Sequence, residues 1–132
     1  MPNRNYERGY RFEREIVKQE KDAGALFVTR GAGSHGSDIV SVYARGVYII
    51  EAKTTEESPP PLYRDEMWKI ARLAEHILDE NVYVEFWVKV MKRGVVRFRM
   101  NKYGSWVVAP GTGTWYVDDA EISEWVSKVC YA

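Results

Sequence analysis

A single cysteine, Cys130, occurs in the 132 residues, so no disulfide can form within the chain and a disulfide-stapled scaffold is excluded. The two histidines, His35 and His76, lie far apart in sequence, and with one cysteine they do not supply the ligand set of a zinc site. Long apolar runs are missing too. None approaches the roughly 18 to 20 residues that a membrane span requires, and the opening Met1-Pro2-Asn3-Arg4-Asn5 is polar with no apolar signal region behind it. The expectation is a chain with no membrane partner that acts in the cytoplasm. An excess of charge of either sign is also absent: 19 Lys+Arg balance 19 Asp+Glu, which at first sight leaves nothing for a polyanion.

What is present is a composition 45% hydrophobic and 14% aromatic. A chain of this length buries roughly two thirds of its unfolded surface on folding, enough for one core without staples, and residues 1–132 are expected to form a single domain. The zero net charge is a sum of segregated blocks. Residues 1–53 carry a net +2, residues 54–81 a net −4, residues 82–105 a net +5 and residues 106–132 a net −3.

Periodicity orders the elements. Phe12, Ile16 and Val17 follow the helical period within Asn5 to Ala23, with Asn3 or Asn5 as N-cap. Leu26 to Arg30 reads as a strand that runs into a loop of small residues, 31–37. Asp38–Tyr43 and Val47–Lys53 read as a hairpin about a three-residue turn, 44–46. After the stiff Pro59-Pro60-Pro61 connector, Met67, Ile70, Ala71, Ala74, Ile77 and Leu78 recur at helical spacing, with Trp68 and Leu73 widening the apolar arc. Strands follow at Val82–Met91, Val95–Met100 and, shorter, Trp106–Val108. A last helix over about Asp119–Cys130 opens on a capping-box pattern of Asp118 and Glu121. The order α-β-β-β-α-β-β-(β)-α predicts an α/β fold of the α+β kind, a mixed sheet flanked by helices.

Chemistry concentrates in the first half. Glu51 and Lys53 stand two apart on one strand and leave the same face, while Tyr48, Ile50 and Ala52 point to the other. An acid and a lysine at the end of an apolar strand face a desolvation cost of several kcal/mol each unless paired, hydrated or metal-bound. Asp38 opens the neighbouring strand, close enough for Asp38 and Glu51 to share an ion. Such oxygen ligands suit Mg²⁺ or Mn²⁺. A divalent ion there lowers the pKa of bound water and screens phosphodiester charge, and a nearby ammonium positions the nucleophile or stabilises the transition state. That is the chemistry of a hydrolytic nuclease. Glu13, near the inward side of the first helix, adds a third acid, and Gly9 one turn earlier allows another backbone to approach. Each residue also has an ordinary reading: Asp38 as a strand-end cap, Glu13 as half of a surface ion pair, Glu-x-Lys as a common strand pattern.

These residues resemble the PD-(D/E)xK nuclease superfamily, and within it the archaeal Holliday junction resolvases of the Hjc type. The resemblance is carried by Gly9-Tyr10-Arg11-Phe12-Glu13-Arg14-Glu15-Ile16, Val28-Thr29-Arg30, Gly33-Ser34, Ser37-Asp38-Ile39-Val40 and Ile50-Glu51-Ala52-Lys53, which span about residues 8–53. It implies a restriction-endonuclease-like core and a magnesium-dependent endonuclease that cuts four-way DNA junctions as a homodimer, with Mn²⁺ able to substitute. By the same resemblance Asp38, Glu51 and Glu13 hold metal, Lys53 assists the water, Arg14 and Arg30 contact phosphate, and Ser34 acts on DNA from its loop. Ser37 stands where many superfamily members have proline, a difference in backbone and not in chemistry. His35 is unusual in that loop, and its contact with the scissile phosphate is open.

Other features have two readings. Loop 31–37 is a phosphate cradle or a mobile segment. Arg64, Trp68 and Arg72, at i, i+4 and i+8, form a DNA or partner stripe or an amphipathic border with Trp68 half-buried. Lys89, Lys92, Arg93, Arg97, Arg99 and Lys102 are solvated hairpin residues or a phosphate-binding surface. Phe86, Trp87, Trp106, Trp115 and the middle helix are candidates for a dimer interface. Two other functions stay open: a nuclease of the same superfamily acting on duplex or ends, and a non-catalytic nuclease-like module that only binds DNA. Recombination or replication proteins that load such a protein onto DNA are not readable.

Overall fold

The computed structural model describes residues 4–31, 39–75, 81–110 and 120–130. Within them the chain forms α1 (Arg4–Asp22), β1 (Phe27–Arg30), β2 (Ile39–Tyr43), β3 (Gly46–Thr55), α2 (Arg64–Glu75), β4 (Val82–Val90), β5 (Gly94–Met100), β6 (Trp106–Val108) and α3 (Ala120–Cys130). This is the element order expected from periodicity. The strands make one six-stranded sheet in the order β1-β2-β3-β4-β5-β6. Every neighbouring pair is antiparallel except β3 and β4, which run parallel from Val47↔Val82 to Thr55↔Val90. A parallel pair needs a crossover, and the segment containing α2 supplies it.

The two faces of the sheet carry separate cores. On one, Phe12 and Ile16 of α1 pack on Ile39, Tyr43, Tyr48, Ile50 and Trp87. On the other, Met67 and Ile70 of α2 and Ile122, Trp125, Val126 and Val129 of α3 pack on Val84, Phe86, Val88, Val90, Val96 and Phe98. The strand period of two makes this possible: Phe86 and Trp87 are adjacent on β4, both buried, and belong to opposite cores. Neither is available to a partner chain, which corrects their reading as interface residues.

Several local expectations change. The β2–β3 turn has two residues, Ala44 and Arg45, because Tyr43 pairs directly with Gly46. Gly46 is required there by crowding: a Cβ would collide with the backbone carbonyl of Asn81, which accepts a hydrogen bond from the Val47 N–H at 2.8 Å. Asn5 lies inside α1 and not at its cap; Asn3, Trp115 and Asp118 fall outside the described residues, as does the middle helix beyond position 75. The Glu121 carboxylate accepts the Ser58 hydroxyl at 3.0 Å, and the proline connector is tied to α3 by the Trp125 indole N–H donating to the Pro61 carbonyl at 2.9 Å.

The largest correction concerns the basic block. Glu85, fully buried on β4, stands between Arg97 and Arg99. Its Oε1 accepts from Arg97 at 2.9 Å and from the Trp87 indole at 2.8 Å, and its Oε2 accepts two bonds from Arg99 at 2.6 and 2.8 Å. The β4–β5 register, Glu85↔Arg99 and Trp87↔Arg97, sets these partners opposite one another. Arg97 also lies over the Trp87 ring at 4.3 Å, and Arg99 over Tyr83 at 5.0 Å. These arginines are therefore neither solvated nor presented to phosphate. Lys89 is likewise held, by Glu15 at 2.9 Å.

Replacing Glu85 by Ala removes the counter-ion that two largely buried guanidinium groups share. A loss of about 3 to 5 kcal/mol in unfolding free energy is expected by urea denaturation; a loss below about 1 kcal/mol would contradict this account of the cluster.

Candidate active site

Strand β3 carries the Glu-x-Lys pair. Among the described residues Ile50 is the last of β3 with a partner on β2, Ile39. From Glu51 to Thr55 the strand runs on against β4 alone among the described residues. Thr54 and Thr55 continue the ladder opposite Lys89 and Val90, which is why β3 outlasts the apolar run that ended the expected strand at Lys53.

A cleft of about 500 Å³ opens at this end, lined by Arg8, Gly9 and Glu13 of α1 and by Ala52 to Glu57. Strand alternation sends Ile50 and Ala52 toward α1 and Glu51 and Lys53 toward the opposite face. Lys53 and Glu13 nevertheless line one cleft. Glu51 is half-buried two residues before Lys53. Gly9 has no heavy atom within 4 Å of where a Cβ would stand, so the protein's own packing does not require glycine there and the helix presents an open backbone to the cleft.

Glu13 is paired across the fold. Arg30, at the end of β1, donates from Nε and Nη2 to Glu13 Oε2 at 3.2 and 3.0 Å, and both side chains are partly buried. Tyr10, one turn before Arg14, completes the group: the Arg30 guanidinium lies over its ring at 4.3 Å and that of Arg14 at 5.8 Å. Interaction with the Tyr10 side chain, followed by the Glu13 carboxylate, raises Arg30 above its ordinary pKa against the opposing effect of burial. The two arginines assigned to phosphate thus share one aromatic ring at the mouth of β1, with one of them orienting the first-helix acid.

Of the residues expected at the site, the structure brings together Glu13, Lys53 and Arg30, sets Glu51 next to Lys53 on β3, and places Arg14 on the exposed side of α1. Ser34 and Asp38 lie outside the described residues, as do His35 and Ser37. Among the described residues no three His, Cys, Asp or Glu side chains converge on a metal position.

The model of the archaeal Holliday junction resolvase (Hjc) family matches residues 4–110. The chain belongs to this family. A solved structure with the same fold is that of Archaeoglobus fulgidus Hjc, a Holliday junction resolvase from an archaeal hyperthermophile: it is 23% identical, covers 88% of this chain and 98% of its own, and superposes with a TM-score of 0.57. No curated protein matches the chain at a significant level.

For a family of DNA-cutting resolvases, the donor set at the cleft is chemically apt. Glu13, Glu56 and Glu57 offer carboxylate oxygens in the cleft lining, Glu51 stands one residue before that lining on β3, and neither imidazole nor thiolate lines the cleft among the described residues, a combination that fits a hard divalent cation and not zinc. Reading the sequence missed Arg8, Thr54, Thr55 and Glu56 as cleft residues. The signal for the threonines was their β-branching directly after Lys53; for Arg8 it was its place beside Gly9.

Proposed function

We propose that this chain is a metal-dependent endonuclease that resolves four-way DNA junctions by paired hydrolytic cleavage as a homodimer. The observation that carries the reading is the cleft at the open end of β3, where a first-helix acid and the Glu-x-Lys lysine meet in a chain of the resolvase family. In this reading Asp38 and Glu51 hold Mg²⁺, or Mn²⁺ in its place, with Glu13 completing the acidic set; when bound, the ion supplies Lewis acidity and a more acidic water. The Lys53 ammonium orients the attacking water and offsets charge that builds on the phosphate oxygens. Arg30 fixes the Glu13 carboxylate through two hydrogen bonds to one oxygen. Arg14 and Arg30 steer the backbone toward the cleft, and Ser34 acts on DNA with them. Its substrate places the protein inside the cell, with the chromosome.

A symmetric junction needs two incisions, and each chain supplies one cleft. A twofold dimer supplies both. The outer side of α2 suits such an interface: Trp68 is 57% exposed, not half-buried as expected from its place on the apolar arc, and it borders a groove of about 360 Å³ lined by Leu62, Met67, Met100, Trp106 and Val129. Arg72 lies over the Trp68 ring at 5.5 Å, so these two residues of the basic-aromatic stripe are in contact.

With Mg²⁺ and a four-way junction, Asp38→Ala and Glu51→Ala are each expected to slow cleavage by at least about a hundredfold, and Lys53→Ala by a similar factor, while junction binding in Ca²⁺ survives. A fully active Asp38→Ala or Glu51→Ala protein would sink the assigned site. For the dimer, Trp68→Asp should sediment as a folded monomer at concentrations where the parent protein is dimeric. A folded variant that stays dimeric would move the interface elsewhere.

A further inference from the structure

The cleft contains one more arginine, Arg8, to which neither the motif nor the roles above assign anything. It forms an ion pair with Glu56, the residue that follows β3. The two partners are unequally placed: the Arg8 side chain is 17% exposed and that of Glu56 64%. The cation is thus built into the wall of the cleft while its carboxylate partner stands on the rim in water. Arg8 directly precedes Gly9, the point at which α1 leaves open space, and both residues line the cleft with Glu13 and Lys53.

A guanidinium binds carboxylate and phosphate through the same fork of N–H donors, and a pair with one solvated partner contributes little to stability. Exchanging one oxyanion for the other at Arg8 therefore costs little. The charges around it point the same way. Glu13 is paired with Arg30, and Glu56 and Glu57 are the other carboxylates where a DNA backbone must pass to reach Lys53. An arginine that changes partner brings its charge onto the phosphate and leaves the Glu56 carboxylate, 64% exposed, to water.

We propose that Arg8 is a phosphate-binding residue of the cleft, held in the free protein by the Glu56 carboxylate, which stands in for phosphate and is displaced when the DNA backbone enters. This assignment rests on the resolvase reading and adds to it a positioning residue and a competing anion. The free protein then keeps Arg8 oriented toward the cleft without DNA, and Glu56 sets a threshold that weak, non-specific backbone contacts do not pass.

The test is fluorescence anisotropy of a labelled four-way junction, in Ca²⁺ to prevent cutting, with wild-type protein, Arg8→Gln, Glu56→Gln and the double variant. Arg8→Gln is expected to weaken binding by about five- to tenfold and to lower the slope of log affinity against log salt by about one. Glu56→Gln is expected to tighten binding by about threefold when Arg8 is present and to have no effect in the Arg8→Gln protein. Arg8→Lys keeps the charge and should keep the salt slope, which guards against a fold defect in the glutamine variant. An unchanged affinity and slope in Arg8→Gln, or the same tightening by Glu56→Gln in both backgrounds, would overturn the proposal. A wild-type protein that neither binds nor cuts the junction would instead overturn the resolvase reading on which it rests.

Discussion

The parallel pairing of β3 with β4 is the contact on which the rest of the molecule depends. Nine consecutive residues, Val47 to Thr55, lie in register with Val82 to Val90. That ladder carries Ile50 and Trp87 into one core and Phe86 and Val88 into the other, so that the α1 layer and the α2/α3 layer are built on the same two strands. It also carries β3 on through Lys53 to Thr55. Lys53 is thereby fixed on a strand backed by β4, opposite the buried Val88.

Electrostatics follow the same division of labour. The most basic stretch of the chain lies far from the cleft in function: Arg97 and Arg99 neutralise Glu85 inside the sheet, and Lys89 meets Glu15. Positive charge that a charge count assigns to DNA is consumed in holding β4 and β5 together. The cations that matter at the cleft come from other elements, Arg8 from α1, Arg30 from β1 and Lys53 from β3, each beside an acid. A neutral chain can therefore still set cations along a cleft, because its charges are paired locally and only a few of those pairs lie at the end of β3.

Local pattern was enough for the element order. Phe12 and Ile16 at helical spacing, the alternation along β2 and β3, and the apolar arc of α2 each express a period that depends on near neighbours in the chain. The Glu-x-Lys strand and Glu13 were legible for the same reason, as short motifs on short elements, whereas Arg30 entered through the family resemblance. What was not legible depends on register and on contacts between distant segments. Glu85 is a single acid within a basic stretch, and only the pairing of β4 with β5 reveals that two arginines face it. The partner of Glu13 lies 17 residues away on β1, and that of Arg8 lies at the end of β3. Trp68 reads as half-buried from its helical position, and its exposure is decided by how α2 sits against the sheet.

The central claim is that the open end of β3 hydrolyses DNA only where four strands meet. The most direct measurement compares Mg²⁺-dependent cleavage of an immobile four-way junction with cleavage of the duplex arms from which it is assembled, at equal strand concentration. The account predicts paired cuts in opposing strands of the junction and, over the same time, little or no cutting of the arms. Equal rates on junction and arms would contradict it.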